Sequence, residues 1–158
     1  MAVTPGEPFR LSSRDPGARP FFADKKSALW SSLDDAKAID TLQDRLFAEG
    51  ARAILVVLQG IDTSGKSGTI RRVFSETGPL GVRVTSFGEP TETELAHDYL
   101  WRVHRETPVK GSIGIFDRSH YEDVLVGRVR GLAPFERIEE RYEQINAFEK
   151  LLAQNDVV

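Results

Sequence analysis

The chain contains one complete phosphate-loop motif, and this motif constrains the fold more than any other feature. Residues Gly60–Ser67 match the pattern G-x-x-x-x-G-K-[ST] without a mismatch. The apolar run Ala53–Leu58 precedes the motif and is typical of a buried parallel strand, and Thr69–Phe74 follows at helical spacing. Because a strand, a glycine-rich turn and a helix are the context that the motif requires, we predict a phosphate-binding loop. The alternative is a glycine turn that only caps a helix.

The residue types in this loop suit phosphate chemistry. Gly60 and Gly65 let the backbone turn tightly and approach a polyanion closely. Successive N–H groups of the loop, together with the start of the following helix, attract negative charge. Lys66 supplies a mobile cation for terminal phosphates, and the Ser67 hydroxyl can reach a magnesium ion.

Composition excludes several classes of function. The 158 residues suffice for one compact α/β core, and a net charge of −3 gives no overall basic field for nucleic acid. The chain has no cysteine, so it has no disulfide, thiolate chemistry or cysteine zinc site. Its longest apolar run, Ala53–Leu58, is too short to cross a bilayer, and Met1–Arg10 contains no long apolar run, so we expect no secretory signal. We expect a cytoplasmic protein with neither a nucleic-acid nor a membrane partner.

The order of predicted elements indicates an α/β fold. Prolines at positions 5, 8, 16 and 20 predict an extended arm over residues 1–24, which leaves 25–158 as the core. Strands are predicted at 53–58, 82–87 and 112–116. Helices are predicted at 25–49, from the phosphate loop to Thr77, from Thr91 through Val103, at 121–128 and from Pro134 onward. This alternation predicts three α/β/α layers around a parallel sheet.

The C-terminal residues Asn155–Val158 predict a turn and the first step of a fourth strand. Three strands and a stub would make a small sheet for this class, so we expect an incomplete C-terminal part. We also expect poor coverage of the apolar helix face around Phe148, Leu151 and Leu152. An exposed apolar patch favours association, and we expect a homo-oligomer.

A second group of candidate residues follows the third predicted strand. Asp117 ends that strand, where it could position a magnesium ion or its water, or could act only as a helix N-cap. Arg118 could bind phosphate oxygens, or form a structural ion pair with Asp62, Glu89 or Glu122. Asp62, inside the loop, could share the metal, act as a base or only hydrogen-bond the loop.

Three blocks, Gly60–Arg71, His97–Arg102 and Gly114–Val126, together resemble the second family of polyphosphate kinases. The resemblance covers roughly Lys25–Val158. It implies a phosphate-loop core similar to thymidylate kinases and a Mg²⁺-dependent transfer of phosphoryl groups between inorganic polyphosphate and a purine nucleotide, namely AMP, ADP or GDP. Two alternatives stay open, an ATP-dependent nucleoside monophosphate kinase and an inactive phosphate-binding or association module.

The resemblance also implies roles for individual residues. It makes Lys66, Asp62, Asp117 and Arg118 catalytic, and it makes Asp62, Asp117 and Ser67 the metal-binding set. The phosphate-binding positions would be Gly60, Thr63, Ser64, Gly65, Lys66, Ser67, Gly68, His120, Tyr121 and Arg128. His120 and Tyr121 could equally be packing residues at a helix start. Glu89 would lie on the nucleotide side, or only hold its loop.

Two departures from the family pattern bear on activity. Many members carry an acidic residue or glycine where this chain has Ser67. The family also continues beyond the position of Val158 with another strand, a basic lid and a further helix. A lid excludes water and completes the charge clamp, so we expect phosphate binding to survive and turnover to fail without one.

Overall fold

The computed structural model describes residues 4, 6, 8–15, 17, 18, 21–130 and 134–158. Pro5, Pro16 and Pro20 of the predicted arm lie outside the described residues, and the division into arm and core stays a prediction. After a short 3-10 turn at Leu11–Ser13, the elements are α1 (Lys25–Glu49), β1 (Ile54–Leu58), α2 (Lys66–Val73), β2 (Val82–Ser86), α3 (Glu92–Leu95), α4 (Trp101–Arg105), β3 (Ile113–Asp117), α5 (Glu122–Arg130) and α6 (Phe135–Gln154).

The sheet is parallel and has the order β1-β3-β2. Leu58 of β1 and Ser86 of β2 both pair with Asp117 of β3, so the three strands end at the same edge. Val157 forms a parallel β-bridge with Ala53, the residue directly before β1. The Val158 carbonyl accepts a hydrogen bond from the N–H of Leu55 at 2.8 Å. The predicted start of a fourth strand is therefore confirmed.

Helices cover both faces of the sheet, because alternate side chains of each strand point to opposite faces. On one face, Ile113 and Ile115 of β3 pack with Leu46 of α1 and Ile70 of α2. On the other face, Phe116 packs with side chains of α4 and α6: Val103, Phe148 and Leu152. The predicted three-layer α/β/α architecture is confirmed.

The expectation of a poorly covered face on α6 is wrong for two of its three residues. Phe148 and Leu152 retain only 6% and 8% of their exposure, whereas Leu151 retains 47%. Phe148 and Leu152 are buried because they pack in the same cluster as Phe116, and Val157 packs against that cluster.

Two helix predictions were too long, in both cases where a short polar side chain binds the backbone. The helix predicted from Thr91 through Val103 is two short helices, α3 and α4. Thr91 and Glu94 form the predicted capping box, but Asp98 Oδ1 then accepts the N–H of Leu100 at 3.0 Å and offers the backbone an alternative to the helix. Similarly, α2 ends at Val73 rather than Thr77, whose hydroxyl donates to the Phe74 carbonyl at 2.9 Å. Within the described ranges, no helix has both the length and the apolar character needed to cross a membrane.

Candidate functional site

An open cleft of about 460 Å³ lies at the edge where the three strands end. The phosphate loop, the start of α2 and the residues that follow β2 and β3 form its walls. Its lining consists of Asp62, Thr63, Gly65, Lys66, Ser67, Gly68, Ser86, Phe87, Gly88, Asp117 and Arg118. Ligands gather at the carboxyl ends of strands in open α/β sheets, so the position of the cleft agrees with the prediction from the motif.

The backbone of the phosphate loop is tightly wound. Thr63 and Gly65 adopt left-handed conformations with φ of +67° and +92°, and Gly65 is the N-cap of α2. A Cβ added at Gly60 would lie 2.8 Å from Ser64 Oγ, so a side chain there would displace that hydroxyl. The unpaired N–H groups at the start of α2 are therefore available to an anion in the cleft.

The Lys66 ammonium is hydrogen-bonded to the phosphate loop itself. Its Nζ donates to the carbonyls of Gly60 at 2.9 Å and Ile61 at 3.0 Å, and lies 3.5 Å from Ser64 Oγ. These neutral acceptors satisfy the donors of the ammonium without neutralising its charge. A polyphosphate group that entered the cleft would therefore meet a positive charge already at its wall.

Ser67 and Asp117 meet across the cleft. The Ser67 hydroxyl donates to Asp117 Oδ2 at 3.2 Å, and the pairing of β1 with β3 brings the two residues together. Within the described residues, no three His, Asp or Glu side chains are grouped closely enough to hold a metal by themselves. Mg²⁺ prefers oxygen ligands, and it is commonly bound by one or two carboxylates plus substrate phosphates and water. Ser67 and Asp117 fit this pattern.

Arg118 and Asp62 form an ion pair at the mouth of the cleft. Arg118 adopts a φ of +66°, which is uncommon for a residue with a side chain. The Asp62 side chain is 81% exposed and that of Arg118 is 38% exposed, so water screens their attraction. The structural alternative for Arg118 is thus present, and the pair is weak enough for phosphate oxygens to replace Asp62.

Five predicted phosphate-binding residues do not line this cleft: Gly60 and Ser64 of the phosphate loop, and His120, Tyr121 and Arg128. His120 is buried, and its Nε2 lies 3.3 Å from Oε1 of Glu149, which also accepts a hydrogen bond from the Tyr121 hydroxyl. Burial lowers the pKa of His120 and raises the pKa of Tyr121 to about 12. Arg128 Nη1 lies 3.6 Å from Oε1 of Glu139 on α6. Phosphate contact by these residues stays a prediction.

A smaller depression of about 270 Å³ adjoins the cleft and has Glu89 in its wall. Buried Arg102 supports it: Nη1 donates to the Gly88 carbonyl at 3.0 Å and lies 3.7 Å from Glu94 Oε2. Sequence reasoning did not single out Arg102, because an arginine in a helical pattern is usually solvent-exposed. Its membership of the block His97–Arg102 was the one available signal. Nucleotide contact by Glu89 stays a prediction.

Gln59 was also missed. It follows β1 directly, and its Nε2 donates to Oε1 of Glu122 at 2.6 Å. Its Oε1 accepts the hydroxyl hydrogen of Ser119 at 3.3 Å. Gln59 thus connects the start of the phosphate loop to the segment after Arg118. A polar residue between an apolar strand and a glycine loop was the signal that could have identified it.

Several known proteins are similar to this chain in sequence and in fold. Residues 23–158 match the family model described as Polyphosphate kinase 2. The chain is 50% identical over 152 residues to the AMP/ADP-polyphosphate phosphotransferase of Meiothermus ruber, which covers 96% of this chain and 57% of that protein. It is 39% identical over 127 residues to the ADP-polyphosphate phosphotransferase of Rhodopseudomonas palustris, which covers 80% of this chain and 44% of that protein. The crystal structure of Polyphosphate Kinase 2 from Arthrobacter aurescens superposes with a TM-score of 0.90 at 38% identity, over 98% of this chain and 56% of that one.

Proposed function

We propose that this chain, which belongs to the polyphosphate kinase 2 family, transfers phosphoryl groups between inorganic polyphosphate and AMP or ADP. The observation that carries the proposal is the meeting of Lys66, Arg118 and the Ser67–Asp117 pair around one cleft. Phosphoryl transfer depends mainly on positioning and on neutralising the charge of the phosphate oxygens. Two cations and a pair of oxygen ligands at a phosphate loop are suited to that task.

Each side chain has a defined part in the proposed reaction. An oxygen of the acceptor phosphate attacks the terminal phosphorus of polyphosphate, and the bridging P–O bond breaks with its electron pair on the leaving phosphate. Lys66 neutralises charge on the transferring group, while Arg118 exchanges Asp62 for phosphate oxygens. Asp62 is then released to orient the attacking group.

The divalent cation of this proposal is Mg²⁺. The Ser67 hydroxyl and the Asp117 carboxylate would hold it, with the remaining ligands supplied by phosphate and water. When bound, the ion lowers the negative charge on phosphate oxygens. The close approach of Ser67 Oγ to Asp117 Oδ2 supports this assignment.

The proposal has three further parts. GDP is included as a purine acceptor because the chemistry at its terminal phosphate is the same. A homo-oligomer is the proposed assembly. A cytoplasmic location is proposed because the nucleotides that the enzyme would use are found there.

The central experiment is a transfer assay combined with a binding measurement. The protein is incubated with polyphosphate, MgCl₂ and AMP, ADP or GDP, and the products are separated by chromatography. Parallel reactions replace polyphosphate by ATP, or add EDTA. Calorimetry with tripolyphosphate reports phosphate binding independently of turnover.

The outcomes separate the competing functions. Products that need both polyphosphate and Mg²⁺ support the proposal. Transfer from ATP alone would instead identify a nucleoside monophosphate kinase. Tripolyphosphate binding without any transfer would refute transfer by these 158 residues, in agreement with the expectation that turnover needs a lid, and would leave a phosphate-binding module. An absence of binding would also refute the assignment of the cleft. Light scattering tests the oligomer.

A further inference from the structure

We infer that Gln59 is a positioning residue, which holds the Asp117–Arg118 side of the cleft at a fixed place relative to the phosphate loop. The inference rests on the proposed function, because it assigns a purpose to this geometry in phosphoryl transfer. Gln59 stands between β1 and Gly60, so its backbone moves with the phosphate loop. Its side chain reaches in the other direction, to the segment that follows β3.

The nitrogen and the oxygen of the Gln59 side-chain amide each form a hydrogen bond. Nε2 donates to the Glu122 carboxylate at 2.6 Å, and a hydrogen bond to a charged acceptor is stronger than one between neutral groups. Oε1 accepts from Ser119, whose hydroxyl oxygen also accepts the N–H of Tyr121 at 3.2 Å. Ser119 is fully buried, so its hydroxyl depends on these partners.

The segment held by Gln59 includes a strained residue. Arg118 has a φ of +66°, and a left-handed backbone persists only where the surrounding contacts hold it. One such contact is the hydrogen bond from the Arg118 N–H to the Leu58 carbonyl at 3.0 Å. The bonds of Gln59 to Ser119 and Glu122 lie immediately beyond Arg118 and restrict the chain on its other side. Without them, Arg118 could relax toward an ordinary conformation and carry its guanidinium away from the cleft.

A purely structural role for Gln59 would affect folding stability but not the chemistry of the cleft. The Glu122 partner provides a way to separate these roles. In the double variant Gln59→Glu/Glu122→Gln, donor and acceptor exchange places, so the amide at 122 can donate to the carboxylate at 59. The Ser119 hydroxyl can still donate to that carboxylate. The single variant Gln59→Glu, in contrast, brings two carboxylates together.

The experiment compares four variants with the unchanged protein: Gln59→Leu, Gln59→Glu, the exchanged pair and Gln154→Leu. Gln154→Leu is the matched control, since Gln154 is exposed at the end of α6. The measurements are kcat and KM with polyphosphate and ADP, the Kd of tripolyphosphate and the melting temperature. We expect kcat to fall about 10- to 100-fold in Gln59→Leu, and Kd to rise about tenfold, as is typical when an outer residue no longer orients a site. Gln59→Glu should lose as much, and the exchanged pair should return to within about threefold of the unchanged protein.

Several results would overturn the inference. One is a kcat and a Kd for Gln59→Leu that stay within twofold of the unchanged protein. Another is an exchanged pair that recovers its melting temperature but neither its kcat nor its Kd. If the unchanged protein shows no transfer, the proposed activity fails, and the Kd series alone decides whether Gln59 positions the phosphate site.

Discussion

The Lys66 ammonium is the strongest single test of the cleft. In Lys66→Ala, a polyphosphate group loses the one cation that is carried by the phosphate loop. Two unit charges roughly 4 Å apart attract each other by about 4 kcal/mol at an effective dielectric constant near 20, which suits a partly exposed site. Since about 1.4 kcal/mol corresponds to a factor of ten, we expect kcat/KM with polyphosphate to fall about 10³-fold.

The same substitution should leave the fold in place. Lys66 donates to the carbonyls of Gly60 and Ile61 at 2.9 and 3.0 Å, and Ile61 is exposed while Gly60 is only partly buried, so water can replace the ammonium. Each lost hydrogen bond is therefore worth at most about 1 kcal/mol of the free energy of unfolding. The melting temperature should change by only a few degrees, roughly as expected for a loss of that size.

The assay measures kcat/KM, the Kd of tripolyphosphate and the melting temperature for Lys66→Ala and for Lys37→Ala. Lys37 is exposed on α1, so its removal changes the net charge of the protein equally without touching the cleft. A loss below tenfold in both kcat/KM and Kd for Lys66→Ala, or an equal loss for Lys37→Ala, would refute the reasoning.

Three further predictions concern Asp117 in the cleft, the buried His120 and the glycine that precedes β2. Asp117→Asn keeps an oxygen acceptor for the Ser67 hydroxyl but loses the negative charge. The rate of Mg²⁺-dependent transfer should therefore fall at least about 10²-fold, while the melting temperature stays unchanged. A full rate with an unchanged Mg²⁺ requirement would show that the role of Asp117 is structural. Burial lowers the pKa of His120, so the unfolded chain binds a proton more readily, and the free energy of unfolding should decrease as the pH falls below about 6.5 toward the folded-state pKa. Urea titrations should show a smaller decrease in His120→Phe, and an equal decrease would contradict the assignment. A Cβ at Gly81 would lie 1.4 Å from Nε2 of buried Gln43. Gly81→Ala should therefore lower the free energy of unfolding by about 1–3 kcal/mol. The double variant Gly81→Ala/Gln43→Ala should recover part of that loss in the same urea titrations.

The sequence predicted the fold well because its signals are local. The apolar run of β1, the glycines of the phosphate loop and the Thr91–Glu94 capping box each specify structure within a few residues, and all three were found as predicted. The break between α3 and α4 was missed because the apolar spacing continues across it. The side chain of Asp98 decides that point by binding the N–H of Leu100.

The site was predictable in its centre and less so at its margins. Lys66, Ser67, Asp117 and Arg118 all line the cleft, because each is fixed by a motif at the end of a strand. The orientation of the His120 side chain was not predictable, since it depends on Glu149, which lies 29 positions later in the chain on α6. Long-range partners of this kind leave no pattern in a local window of sequence.

The parallel sheet also offers a practical handle for labelling. All three strands end at the cleft, so the turn Gly78–Leu80, which leads into β2, is about 17 Å away along that strand. Leu80 is 85% exposed, and a Cβ added at Gly78 would contact nothing within 4 Å. A fluorophore, an affinity tag or an inserted reporter domain at this turn would therefore leave the chemistry undisturbed. The same insertion after Gly88, at the opposite end of β2, would obstruct the cleft.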